Sequence, residues 1–221
     1  RALRAQGVNT FRVYRADEDL SGVRFPVFVR GAGDHHGPRT DLIEDAAQLE
    51  AVIANALLHG FEPDDVLVVE YEHTRGADGL FRKHAGVGDR VIPRHVLMGA
   101  SWLQKHTAAS VSPSCAAEER AFLRSSDHEA ELMDIFSTAR VEFGRVDYTM
   151  VDGRITVWEI NSNPTLFLAD PREQAPERVE FDELFDGRLR SAWDAIDCPD
   201  DPSREFAYEL RRPVRSGGET G

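Results

Sequence analysis

Apolar and polar positions alternate, cluster and repeat along this chain in ways that predict its elements one by one. Residues 1–7 carry small and charged residues and stop at Gly7, which reads as the end of a helix. Phe11–Tyr14 reads as a short strand. Phe25–Arg30 is rich in strand formers, with Pro26 near its first position, where proline is tolerated. Gly31, Gly33 and Gly37 then mark a flexible loop. From Asp45 to Leu58 the apolar residues Leu49, Val52, Ile53, Ala56 and Leu57 recur at helical spacing. Asp65–Tyr71 reads as a buried strand and Arg90–Met98 as another. Ala117–Arg140 reads as one amphipathic helix. Val141–Met150 and Arg154–Asn161 are strands around Asp152-Gly153, a strong hairpin turn. Phe181–Ile196 is a last helix before a polar tail. Strands occur both as hairpins and around helices, so the expected class is α+β rather than a doubly wound sheet. A seam falls after Val69, where an all-apolar strand meets the polar stretch 70–79. It divides the chain into an N-terminal subdomain, 1–69, a C-terminal one, 70–190, and a tail, 191–221.

Composition narrows the function classes. The chain has 221 residues, 41% of them hydrophobic and 29% charged, an ordinary globular profile with room for a sizeable core. Its longest apolar stretches, such as Val66–Val69, are far below the roughly 20 residues that span a bilayer. The net charge of −13 repels nucleic-acid phosphates and anionic lipid, so neither partner is expected. Two cysteines make no disulfide framework, and no signal-peptide pattern is present, so a cytoplasmic setting is expected. The chain opens on Arg1 inside a helix-like segment, from which an upstream part is expected.

The stretch 144–164 carries the most chemistry. Glu159 and Asn161 are two apart on a strand and share a face, while Asp147 sits beside Arg145 on the partner strand. Val146, Tyr148, Met150, Trp158 and Ile160 are expected on the other, apolar face. Three oxygen donors suit a hard cation such as Mg²⁺, which takes one or two carboxylates and completes its shell with phosphates and water. Polar hairpin faces are ordinarily just solvated, so the register decides. A regular two-residue turn at Asp152-Gly153 would pair Asp147 with Trp158 and turn Glu159 away. A three-residue loop with Gly153 left-handed, or a bulge in either strand, would bring Asp147 and Glu159 to one face.

The run Arg145-Val-Asp147-Tyr, followed by Trp158-Glu159-Ile-Asn161-Ser-Asn163-Pro164, resembles the paired strands of the ATP-grasp superfamily. That superfamily includes D-alanine–D-alanine ligase, glutathione synthetase and peptide-forming ligases. With the upstream Phe25-Pro-Val-Phe-Val-Arg30, the resemblance covers nearly all of residues 1–168. It implies an ATP-grasp fold, with two α+β subdomains gripping ATP between them. It also implies two Mg²⁺ ions, replaceable by Mn²⁺, held by Asp147, Glu159 and Asn161. Arg145 would stabilise the transferring phosphate. Arg30 stands where the family has a phosphate-binding lysine. Arginine keeps the charge but not the geometry. The loop 31–37, with Gly33 and His36, would close over the phosphates. Glu70 and the backbone from Tyr71 would meet adenine, and Asp78 the ribose. Among Arg82, Lys83, Arg94 and Lys105, Arg82 is the foremost candidate for the acid substrate and its acyl phosphate, and Lys105 a further nucleotide contact. The activity implied is an ADP-forming carboxylate–amine ligase, acting on a small carboxylic acid and an amine, and a homodimer is the assembly implied. An ATP-grasp kinase and a non-catalytic nucleotide-binding module are the alternatives. A second phosphate-binding lysine of the family would precede Arg1.

Overall fold

A computed structural model describes residues 1–33, 37–72, 77–98, 102, 113–164 and 176–196. The architecture is α+β: five α-helices and two antiparallel sheets among the described residues. The smaller sheet has strands β1 (Val13–Arg15), β2 (Val27–Gly31) and β3 (Val66–Glu70) in the order β1-β3-β2. One of its faces, with Val27, Val29, Val66 and Val68, packs on Leu49 of helix α2 (Ala46–Leu58). Asp45 caps that helix by accepting the Gln48 N–H, which satisfies one of its orphan donors. The other face, with Phe28, Val69 and Leu67, forms an aromatic cluster with Phe11, Tyr71, Trp102 and Trp158.

The larger sheet has strands β4 (Ala77–Val87), β5 (Arg90–Met98), β6 (Phe143–Val151) and β7 (Arg154–Asn161) in the order β5-β4-β6-β7. Helix α4 (Glu129–Ala139) packs Leu132, Ile135 and Phe136 against Val91, Val146, Tyr148, Ile155 and Val157. Gly86 permits that approach, since a Cβ there would stand 2.7 Å from the Phe136 ring. Helix α5 (Pro176–Ile196) buries Phe185, Leu189 and Ala192 on Ala85, Val87 and Ile92. Helix α3 (Pro113–Arg124) lies along β5, and the short α1 (Ala2–Ala5) touches α4.

Two expectations change here. The single helix over 117–140 is two, broken at residues 125–128, with His128 in the left-handed region at φ 65°. The stretch 77–79, expected as polar connection, belongs to the eleven-residue β4.

Candidate functional site

The hairpin turn at Asp152-Gly153 is the regular two-residue kind, with both residues at positive φ, 49° and 73°. From Val151↔Arg154 to Tyr148↔Val157 the register is uninterrupted. A bulge then intervenes: Trp158 is the extra residue, and beyond it Asp147 pairs with Glu159, Val146 with Ile160 and Arg145 with Asn161. One inserted residue moves every later side chain to the other face. The bulge therefore places Asp147, Glu159 and Asn161 together. It also corrects the expected position of Trp158. Its indole leaves the helix-covered face, donates from Nε1 to Thr149 Oγ1 at 3.0 Å and stacks on Phe11, centroids 5.3 Å apart.

Cations surround the two carboxylates. Arg145 Nε donates to Asp147 Oδ1 at 2.8 Å, and Lys83 Nζ to Asp147 Oδ2 at 2.8 Å. Lys83 sits directly opposite Asp147 on β4. Arg30 reaches over from the smaller sheet, its guanidinium 3.8 Å from Glu159 Oε2. Two carboxylates thus meet three cations, a local positive excess in a chain of net charge −13. Between the sheets lies a cavity of about 510 Å³, lined by Phe11, Val13, Phe28, Arg30, Gly33, Leu67, Val69, Trp158 and Glu159 among others. Its walls are apolar and aromatic at one end and charged at the other.

Among the described residues no three Asp, Glu, His or Cys side chains converge as a metal site. The donor set on offer is two carboxylates paired across the strands and the Asn161 carboxamide, whose Oδ1 accepts the Asn163 N–H at 2.8 Å. Those all-oxygen donors fit a Mg²⁺ ion that takes most of its shell from phosphate and water. Like charges placed directly opposite each other repel, and a divalent cation would relieve that pair.

Other expected residues fall elsewhere. Arg82 pairs with Tyr148 and lines a separate cavity with Phe122, His128 and Met150, on the opposite face from Asp147. Strand alternation gives the site Lys83 instead, the neighbour that sequence reasoning ranked lower. Arg94 is buried, bonded to Asp182 at 2.7 Å and set over the Phe185 ring. Glu70 is 1% exposed and does not line the cavity. It accepts the Arg12 and Arg24 N–H groups and the Arg24 guanidinium, so it holds the sheet together and has no approach to a base. Burial pushes its acidity one way, but those hydrogen bonds outweigh it and hold Glu70 below the usual carboxylate range. The Tyr71 N–H is spent on the Pro26 carbonyl at 2.9 Å, while its ring stacks on Trp158, centroids 6.1 Å apart. His36, Lys105 and the Asp78 side chain lie outside the described residues.

No family model matches the chain, and no curated protein does. Among solved structures it is similar to D-alanine–D-alanine ligase from Bacillus anthracis, at 16% identity and a TM-score of 0.47, over 88% of this chain and 65% of that one. The same enzyme complexed with ATP matches at 19% identity and a TM-score of 0.46, over 88% and 62% of the two chains. An L-amino acid ligase from Bacillus licheniformis matches at 13% identity and a TM-score of 0.43, over 73% of this chain and 38% of that one. The chain thus spans less than two thirds of the solved structures just named. No helix among the described residues is long and apolar enough to cross a membrane.

Proposed function

We propose that this chain is the nucleotide-binding core of an ATP-dependent, ADP-forming carboxylate–amine ligase. What supports the reading is the meeting, across the cavity, of Arg30 from one sheet with Glu159 from the other, beside Asp147, Lys83 and Arg145. The apolar end of the cavity, with Phe11, Phe28 and Trp158, suits a purine, and the charged end suits a polyphosphate. Asp147, Glu159 and Asn161 would hold Mg²⁺, which when bound would neutralise charge on the phosphoryl oxygens. Arg30, Lys83 and Arg145 would donate to the anion and stabilise a phosphoryl group passing to a substrate carboxylate. Asp147 keeps Arg145 and Lys83 oriented before any ligand enters, so little reorganisation is left for the reaction. An acyl phosphate formed there needs water excluded, and the aromatic wall contributes to that.

The test is ADP release by the protein with Mg-ATP across a panel of small carboxylic acids and amines. The reading expects ADP that needs both an acid and an amine, with an amide-linked product. ADP formed with an acceptor hydroxyl and no amine would make it a kinase. Tight ATP binding with no turnover on any pair would make it a binding module.

A further inference from the structure

The Asp147–Glu159 pairing depends on a register that has a nearby competitor. Without the extra residue at Trp158 the same two strands would continue in the turn's own register and Glu159 would face the helices. The bulged register also sets two carboxylates opposite each other, a repulsion that Lys83, Arg145 and Arg30 offset once the register is in place. Among the described residues β7 ends the sheet, so its outer edge has no strand to fix which register is taken.

Asn9 occupies that open edge. Its Nδ2 donates to the Val157 carbonyl at 2.8 Å and its Oδ1 accepts the Val157 N–H at 2.9 Å. A carboxamide that does both imitates one residue of a missing strand. Val157 is the last residue in the turn's register, directly before Trp158. Asn9 is itself buried, and its neighbours grip the same place: Val8 enters the core beneath β7, and Phe11 stacks on Trp158 with planes 11° apart.

We propose that Asn9 is a positioning residue for the candidate site: its clasp on Val157 fixes the bulge that turns Glu159 toward Asp147. The proposal rests on the nucleotide-site reading for its consequence, but the register it describes can be measured separately. Residues that orient metal ligands from outside the coordination shell are typically worth about 10–100-fold in affinity or activity.

The experiment compares Asn9→Ala, Asn9→Asp and Leu49→Ala, a core truncation on the face of the small sheet away from the cavity, with the wild type. Two quantities are read: Mn²⁺-ATP affinity by electron paramagnetic resonance, and the Asp147–Glu159 cross-strand contact with amide exchange at 157–159 by NMR. Asn9→Ala is expected to lose at least about tenfold in affinity, with faster exchange and loss of the cross-strand contact, whereas Leu49→Ala loses stability without either change. Asn9→Asp accepts from Val157 but donates only when protonated. At about pH 7–8, where that carboxylate is ionised and offers the Val157 carbonyl no donor, its affinity should therefore also fall below wild type. Wild-type register and affinity in Asn9→Ala, or in Asn9→Asp at that pH, would overturn the proposal. A wild-type protein that binds no Mn²⁺-ATP would instead sink the nucleotide-site reading, and the NMR contact alone would then decide the role of Asn9.

Discussion

Glu159 faces both Asp147 within its sheet and Arg30 across the cavity, so a single carboxylate joins the two halves of the site. Replacing it by glutamine keeps the shape and removes the charge. Glu159→Gln should cut ADP formation by at least about a hundredfold with an unchanged melting temperature. Near-normal turnover would remove Glu159 from the machinery. A different residue governs acid stability. His84 is fully buried between β4 and the helices, with neither ring nitrogen bonded among the described residues. Burial first, then the charges of His128, Arg188 and Arg82, push its pKa down from 6.5 to about 3. The unfolded chain takes up that proton below about pH 6.5 and the folded one does not, so stability present above this pH is lost as pH falls toward 3. The slope is up to about 1.4 kcal/mol per pH unit. The unfolding free energy of the wild type minus that of His84→Leu should therefore fall as pH falls through this window; curves that stay parallel would contradict the assignment. The candidate carboxylates and Arg145 were legible from residue type and strand spacing, Arg30 only through the resemblance of its strand. The choice between Arg82 and Lys83 was not, because it turns on which face of β4 meets Asp147.

The hairpin β6–β7 is the element on which the site depends, and a glycine fixes how closely its ends lie. A Cβ on Gly144 would stand 2.8 Å from the Asn161 carbonyl oxygen, so this glycine lets the end of β7 close on β6. Gly144→Ala should destabilise the protein by about 1–3 kcal/mol and weaken Mn²⁺-ATP binding beyond that, because the displaced backbone carries Asn161. Chemical denaturation paired with the binding titration checks both, and a fully retained affinity would show that Asn161 does not depend on this contact. Helix α2 and the β3 strand were legible because periodicity, an Asp45 cap and an unbroken apolar run agree. Strand β4 was only partly so. Lys83 buries its charge on Asp147 and His84 is buried on the opposite face, so polar residues occupy both faces and the alternation fades. The bulge could be required but not located: nothing in Val157-Trp158-Glu159 marks the extra residue, and the side chain that satisfies the neighbouring backbone, Asn9, lies 148 positions away.

At the scale of the molecule, two sheets face each other over a cavity whose apolar end is built from Phe11, Phe28, Val69 and Trp158 and whose charged end holds Arg30 and Glu159. The chain is acidic overall, yet Arg30, Lys83 and Arg145 cluster around Asp147 and Glu159 where the two sheets meet. That distribution makes little sense for a protein whose cleft stays empty, since the same residues repel or pair at a cost to each sheet. A ligand carrying a base at one end and a metal-bound phosphate chain at the other would satisfy both ends at once. The most direct test is the thermal unfolding of the wild type with and without Mg-ATP, repeated with EDTA. At a hundredfold excess over its dissociation constant, a ligand bound only to the native state adds about 2.7 kcal/mol. A rise in melting temperature that needs both ATP and the metal, and that Glu159→Gln abolishes, is the predicted result; an unchanged melting temperature at saturating Mg-ATP would contradict the account.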